Sequence, residues 1–392
     1  MADIDPYETK AGVRYRVRYR RPDGSSTDKR GFRTKREAKA WSEDNEVSKR
    51  RGDWVDPSLG KTTVGDLAPK WLRSKAKLAD STRNRGEYSL NQQVLPHWEH
   101  VAVGEITRGM VQDWIDGMDM SASTVSKARD VLAQILDIAV RDQMVHKNPV
   151  RDKLITMPKP EDADPIFLTV DELWRLAEAA GDAGRDIVVT LGYTGLRFGE
   201  LAAAKVRRWE PDKHRLRIAE SVTDVSGSLS WTPGKTRKAR TVVVPDHVAE
   251  ILDRHAAGKH AGEQLFTTRD GAVLRRGNVR RDWWDAAVLE VWPPSDAEVK
   301  AAKREGRSAK PSLEVTPHDL RHTAASLAIR AGANVKVIQR MLGHASAKMT
   351  LDLYGHLYDD DLTAVADRMS LMVPAHILPT GTSENVVNLD AS

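Results

Sequence analysis

Residues 316–354 read TPHDLRHTAASLAIRAGANVKVIQRMLGHASAKMTLDLY and set His318, Arg321, His344 and Tyr354 within one short region. Thr316 is a good N-cap and Pro317 suits the first helical position. His318 and Arg321, at i,i+3, therefore share a helix face and aim an imidazole and a guanidinium at one object. Arg binds phosphate oxygens in a planar fork, and His exchanges protons near neutral pH, so the object expected is a phosphodiester. Taken alone, such a pair is more often a solvated helix face, and the rest of the chain has to change that weighing.

A second arginine stands in TGLRFGEL, residues 194–201. Thr194 and Gly195 break the apolar run IVVTLGY, and Arg197 opens a helix expected to continue through Leu201 and Ala204. Glu200, one turn on, would by itself be an ordinary i,i+3 ion pair worth roughly 0.2–0.5 kcal/mol. Between the two helices, Leu216–Val222, Leu229–Thr232 and Arg240–Val244 read as short strands, with SGS and PGKTRKA as turns. Lys235 then sits on a hairpin, placed to reach into a groove and protonate a leaving oxygen. A basic turn is more often a solvated loop, and spacing does not separate Lys235 from Lys238.

Arg197, Lys235, His318, Arg321, His344 and Tyr354 together resemble, in order and context, the tyrosine recombinases, the lambda-integrase family. TGLRFGEL is similar to that family's first arginine box, HDLRHTAAS to its HxxRH box, LGHAS to its LGH box, and MTLDLYGHL to its nucleophile segment. Each piece has a bland reading, but six roles in one order are jointly improbable by chance. The family spaces its tyrosine nine or ten residues after the LGH histidine. Tyr354 is ten after His344, which prefers it over Tyr358, one turn further on, and over Tyr193.

The chemistry needs these residue types. A phenol with a pKa of about 10 is a poor nucleophile at neutral pH, so Tyr354 requires cations and a proton acceptor nearby. Arg197 and Arg321 would hold the non-bridging oxygens and stabilise the pentacoordinate transition state. His318 would exchange the phenolic proton and Lys235 would protonate the departing 5′ oxygen. The resemblance adds a phosphate hydrogen bond from His344 and a supporting role for Glu200. It also implies a covalent 3′-phosphotyrosyl intermediate, a Holliday junction and no cofactor, neither metal nor ATP. No P-loop or two-metal carboxylate cluster is apparent in the sequence. His318 and His322, at i,i+4, lack the Glu of HExxH, which disfavours zinc.

The chain has 392 residues, no Cys and a net charge of +5. This composition suits two or three domains, and the absence of Cys rules out a disulfide scaffold. No apolar run approaches a membrane span and MADIDPYETK lacks a signal-peptide core; the family resemblance implies a cytoplasmic, nucleoid-associated location in a bacterial host. The charge is uneven: residues 10–39 carry +9 and the remainder −4. VRYRVRYRR alternates, placing Arg14, Arg16, Arg18 and Arg20 on one strand face and Val13, Tyr15, Val17 and Tyr19 on the other. PDGSS turns into a second strand near Lys29–Arg33, and Thr34 with Glu37 forms a capping-box signature for a helix containing Ala38 and Trp41. An arginine face concentrates like charge, which points to DNA contact, although a merely soluble hairpin would also be charged. It is similar to the arm-type domain at the N-terminus of many phage integrases.

Residues 63–149 read as helical, with stripes at Val64, Leu67 and Trp71 and at Val125, Leu132, Ile135, Leu136 and Ala139. They resemble the family's core-binding domain. Val150–Pro165 is expected to be a hinge, and Pro293–Ser312 a mobile polar loop. The tail after Met369 holds apolar patches of a kind that docks on a neighbouring subunit in this family.

The expected fold is α+β and mainly helical. It comprises an N-terminal three-stranded sheet plus helix (1–61), a helical core-binding domain (62–157), a mixed α/β catalytic domain (164–370) and a tail (371–392). Expected partners are double-stranded DNA, with core-type and arm-type sites, and three further copies in a homotetramer. A host DNA-bending protein and an excisionase are also admitted, and no membrane is. A Xer-type resolvase would lack the basic N-terminal module, a transposon-borne recombinase could keep it, a type IB topoisomerase would relax DNA without pairing sites, and an inactive DNA-binding regulator would not need Tyr354.

Overall fold

The computed structural model describes residues 3–361 apart from 22–23, 52–53, 55, 57, 161–163, 226 and 234–238, together with 366 and 369–370. The chain divides into two compact units, Met1–Ala163 and Asp164–Ser392.

The first unit begins with an antiparallel meander of β1 (Asp3–Thr9), β2 (Gly12–Arg20) and β3 (Ser26–Phe32), followed by α1 (Lys35–Arg51). The alternation expected of β2 holds over residues 17–20, whereas Arg14, Tyr15 and Arg16 are all half-buried. Val17 and Tyr19 are buried, and with Phe32 they face Trp41 and Ala38 of α1, whereas Arg18 and Arg20 are exposed. Val13, near the strand start, escapes this burial and is exposed. Thr34 Oγ1 accepts from the Glu37 N–H, but the Glu37 carboxylate returns to the N–H of Arg33 rather than of Thr34.

A helical bundle follows: α2 (Val64–Ser74), α3 (Asp80–Ser89), α4 (Leu95–Trp98), α5 (Arg108–Asp116) and α6 (Ala122–Arg141), with a π-helical segment at Leu90–Val94. Its core, around Trp71, Trp98, Trp114, Leu132 and Leu136, is separate from that of the sheet. The first part of the expected hinge is tied down. Gln112 Nε2 donates to the Thr156 carbonyl, its Oε1 accepts from the Thr156 N–H, and Ile155 and Met157 pack on the bundle core.

The second unit contains α7 (Val170–Ala179), α8 (Gly181–Thr194), α9 (Phe198–Ala202), β4 (Trp209–Glu210), β5 (Arg215–Ile218), β6 (Glu220–Val225), β7 (Ser228–Pro233) and β8 (Arg240–Val243). It continues through α10 (Asp246–Ala256), α11 (Arg276–Val279), α12 (Asp285–Val291), α13 (Asp296–Glu305), α14 (Asp319–Arg330), α15 (Val335–Leu342) and α16 (Ala347–Tyr354). Antiparallel β4, β5 and β8 form one sheet, and β6 with β7 forms a separate hairpin. The single strand expected over 216–222 is therefore two, broken at Ala219, because each half pairs with a different partner. The buried apolar helix α8 packs against α7 and α14 at the centre of this unit.

Pro293–Ser312 is not a loop. Its middle is α13, capped at its start by Ser295 Oγ and at its end by left-handed Gly306. Arg307 forks onto Glu298 and also reaches Glu305, and Ala302 is buried. The polar composition that reads as a loop is a capped, ion-paired helix resting on one small residue.

Candidate active site

The second unit gathers the catalytic candidates at the ends of helices. Gly195 ends α8 at φ 64°, and an added Cβ there would meet Leu342 Cδ2 at 2.6 Å, so the turn requires glycine. That turn delivers Arg197 to the N-cap of α9. Gly343 plays the same part at the end of α15, with φ 70°, and leads directly into His344.

Arg321 lies in the first turn of α14, which begins at Asp319, two residues later than the Thr316 cap suggests; the Thr316 N–H and hydroxyl both donate to the Asp319 carboxylate. Arg321 is 2% exposed. Its guanidinium donates to the carbonyls of Gly195 (2.6 Å) and Leu342 (2.5 Å), which lie at the C-terminal ends of α8 and α15. The negative ends of two helix dipoles thus hold a buried cation. Burial, with help from Arg197, pushes its pKa down to about 9, which leaves it charged at neutral pH.

Glu200 is buried beneath this group. Its carboxylate accepts from the Arg197 N–H (2.9 Å) and Arg197 Nη1 (3.0 Å). It also accepts both arms of Arg240, at 2.8 and 2.7 Å. Burial alone would raise its pKa, but the Arg240 fork outweighs that and, with Arg197, holds the carboxyl at about 2. Three guanidiniums against one carboxylate leave the cluster with a net charge of about +2, an anion site.

Tyr354, the last residue of α16, is 1% exposed and packs with Ala325, Ile329, Ile338 and Leu342. Its phenol is 2.9 Å from His322 Nδ1. Burial raises the phenol to about 12, with Arg321 working against the rise. The His344 ring lies parallel to the Tyr354 ring with centroids 6.3 Å apart, and His344 Nδ1 is 3.0 Å from Thr350 Oγ1. Burial, and next the charges of Arg321 and Arg197, push His344 down to about 4. His318 keeps an exposed edge and meets the His322 ring edge-on. Partial enclosure, then His322 and Arg321, depress it.

Arg197, Glu200, His318, Arg321, His344 and Tyr354 are thus brought into one charged, hydrogen-bonded neighbourhood. Lys235 and its alternative Lys238 lie outside the described residues. The competing tyrosines are engaged elsewhere: Tyr358 donates to the Ala333 carbonyl, and Tyr193 accepts from Trp174. Arg14, Arg16, Arg18 and Arg20 stand on β2 in the first unit, and their charge is partly met within the sheet. Asp5 lies 3.4 Å from both Arg16 and Arg18, so the like charge is not left wholly to an external anion.

Two residues escape sequence reasoning. His322 is weighed there only as half of a disfavoured zinc pair and given no catalytic role, although the second His of HDLRH is its signal. Arg240 is one basic residue among several in KTRKAR, and only the fold distinguishes it.

A family model described as phage integrase family matches residues 167–361, and another, described as phage integrase central domain, matches residues 64–153. The chain is 28% identical to the integrase of Mycobacterium phage L5 over 86% of this chain and 89% of that one. It is 26% identical to tyrosine recombinase XerC of Bacillus pumilus over 70% of this chain and 82% of the other. Among solved structures, the Tn1549 transposon integrase in complex with a circular intermediate DNA superposes with a TM-score of 0.61 at 21% identity, covering 78% of this chain and 99% of that one. A lambda integrase tetramer bound to a Holliday junction gives 0.55 at 18% identity, covering 87% and 96%. The chain belongs to the phage integrase family of tyrosine recombinases. It is a site-specific DNA recombinase.

Proposed function

We propose that Tyr354 is the nucleophile of a phosphoryl transfer on double-stranded DNA. Its oxygen attacks the scissile phosphorus, forming a 3′-phosphotyrosyl bond while the bond to the 5′ oxygen breaks. The bond energy is kept in the adduct, so rejoining is the same step reversed by a 5′ hydroxyl. The observation that carries this reading is the buried Tyr354 phenol, hydrogen-bonded to His322 within the field of Arg321.

Arg321 spends two of its five N–H donors on the Gly195 and Leu342 carbonyls, and the others remain to hold phosphate oxygens opposite Arg197. His322 touches the phenol, so the phenolic proton passes first to it, with His318 beside it as the next imidazole. His344 is a phosphate hydrogen-bond donor, and its Nδ1 is already fixed by Thr350. Lys235, assigned from the family motif alone, protonates the leaving 5′ oxygen. Glu200 supports both flanking arginines.

On the scale of the complex, four protomers pair two core-type sites through a Holliday junction, as a phage or mobile-element integrase does. The arginine face of β2 contacts a second, arm-type site. A host bending protein and an excisionase belong to the same reading, as does action at the bacterial nucleoid. Among the described residues no helix is long and apolar enough to cross a membrane.

The test uses a nicked duplex bearing the sequence that the wild-type chain captures covalently from a randomised pool. A covalent adduct should form at the 3′ phosphate, leave a 5′ hydroxyl that a kinase can label, and persist in EDTA. A 5′ linkage, or loss of the adduct in EDTA, would overturn the reading.

A further inference from the structure

We propose that Arg240 is a positioning residue that keeps Arg197 free for the scissile phosphate by sharing Glu200 with it. This rests on the reading of Arg197 as a phosphate clamp.

Glu200 is a carboxylate with its side chain 1% exposed, so its charge must be met by protein groups. Arg240, itself 14% exposed, meets it with a two-armed fork at 2.8 and 2.7 Å. Arg197 gives it only one side-chain bond, at 3.0 Å. Fork geometry is the strong arrangement for a guanidinium on a carboxylate, and here Arg240 holds it. Arg197 sits three residues from Glu200 and already donates its backbone N–H to the same carboxylate, so its guanidinium is the nearest replacement. Without Arg240, the buried carboxylate would draw Arg197 into a full fork and withdraw its donors from substrate.

Arg240 is well placed for this task. It is fixed at the first position of β8, paired with Ile218 of β5, and its Nε donates to the Met341 carbonyl at 2.9 Å. Met341 precedes Leu342, whose carbonyl holds Arg321. One side chain thereby links the support of Arg197 to the helix end that orients Arg321. Gly343 leaves room for it: an added Cβ there would meet Arg240 Cδ at 3.0 Å.

The experiment is a double-mutant cycle on the full chain, reading the rate of covalent adduct formation at saturating concentrations of the nicked duplex described above. Arg240→Gln should slow adduct formation by about tenfold to a hundredfold with DNA affinity little changed, the size expected for a displaced catalytic group. Adding Glu200→Gln removes the carboxylate that captures Arg197, so the double variant should form adduct several-fold faster than Arg240→Gln alone. If the double variant is no faster than the single one, Arg240 is only structural and the proposal is wrong. Should Arg240→Gln fail to fold, Arg240→Lys takes its place: one ammonium replaces the fork, and the same relief by Glu200→Gln is expected or the proposal fails. Arg197→Ala in the wild-type background is read alongside. If it leaves the rate intact, the clamp reading falls and this inference with it, whereas a large loss without rescue in the cycle overturns the inference alone.

Discussion

At the residue scale, the site stores its logic in a few buried charges, and acid should expose it. Glu200 is held at about 2 against an ordinary 4.5, so its contribution to stability is complete above its unfolded value and lost as pH falls toward 2. His318, His322 and His344 are depressed below 6.5, burial first, so the folded state resists their protonation and loses stability as pH falls below that value. Both effects have the same sign. Thermal melts taken at about pH 7, 5 and 3 should fall in two stages, and Glu200→Gln should shrink the second stage, which Asp137 and other ion-paired carboxylates share, while leaving the first. Glu200→Ala should cost roughly 3–5 kcal/mol of stability at neutral pH, because it leaves Arg197 and Arg240 facing one another, and a denaturant titration reads this directly. His322→Ala should leave DNA affinity intact and slow adduct formation by about 10²-fold or more, the contribution ordinary for a positioned proton partner. An equal rate in that variant would return the role to His318. The charged boxes themselves are legible in the sequence because Arg, His and Tyr at those spacings serve one chemistry. Arg240 is not, since nothing in KTRKAR tells which cation turns inward.

At the element scale, helix ends do the positioning, and the sequence announces them through glycine. Gly195 ends α8 in a left-handed conformation, stands against Leu342 and offers its carbonyl to Arg321. Gly195→Ala combines strained backbone with overpacking and should destabilise the chain by about 1–3 kcal/mol, while adduct formation falls more than stability explains. Denaturant melts and adduct kinetics on one preparation separate the two effects. Most elements follow from pattern: the alternation of β2, the 3.6-residue stripes of α2 and α6, and the buried run of α8. Two do not. The strand expected over 216–222 breaks at Ala219 because β5 and β6 serve different partners, and pairing partners are not written in local sequence. Residues 296–305 are polar enough to read as a loop, yet the Ser295 cap and the Arg307 fork onto Glu298 make them a helix. The capping serine and the opposite charges are visible in the sequence, but charge density obscures them.

At the scale of the whole molecule, the first compact unit holds two cores, a small one around Val17, Phe32 and Ala38 and a helical one around Trp71 and Trp98. Removing residues 1–61 should therefore leave core-site cleavage intact and abolish binding to a second site class. The salt dependence should fall by about 0.9 in logarithmic slope for each phosphate that the truncated chain no longer neutralises, read by gel-shift titrations at several salt concentrations. Since Asp5 already engages Arg16 and Arg18, the module should neutralise fewer phosphates than its arginines alone suggest. Equal weakening on all DNA would make the module a general anchor instead. The central claim is that Tyr354 carries the covalent bond, and the direct measurement is mass spectrometry of the protease-digested adduct from wild-type and Tyr354→Phe chains on the nicked duplex. A DNA-linked peptide containing Tyr354 is expected in the wild type, and no adduct with DNA affinity retained in the variant. An undiminished adduct in Tyr354→Phe, with its peptide mapping to Tyr358, would contradict that claim.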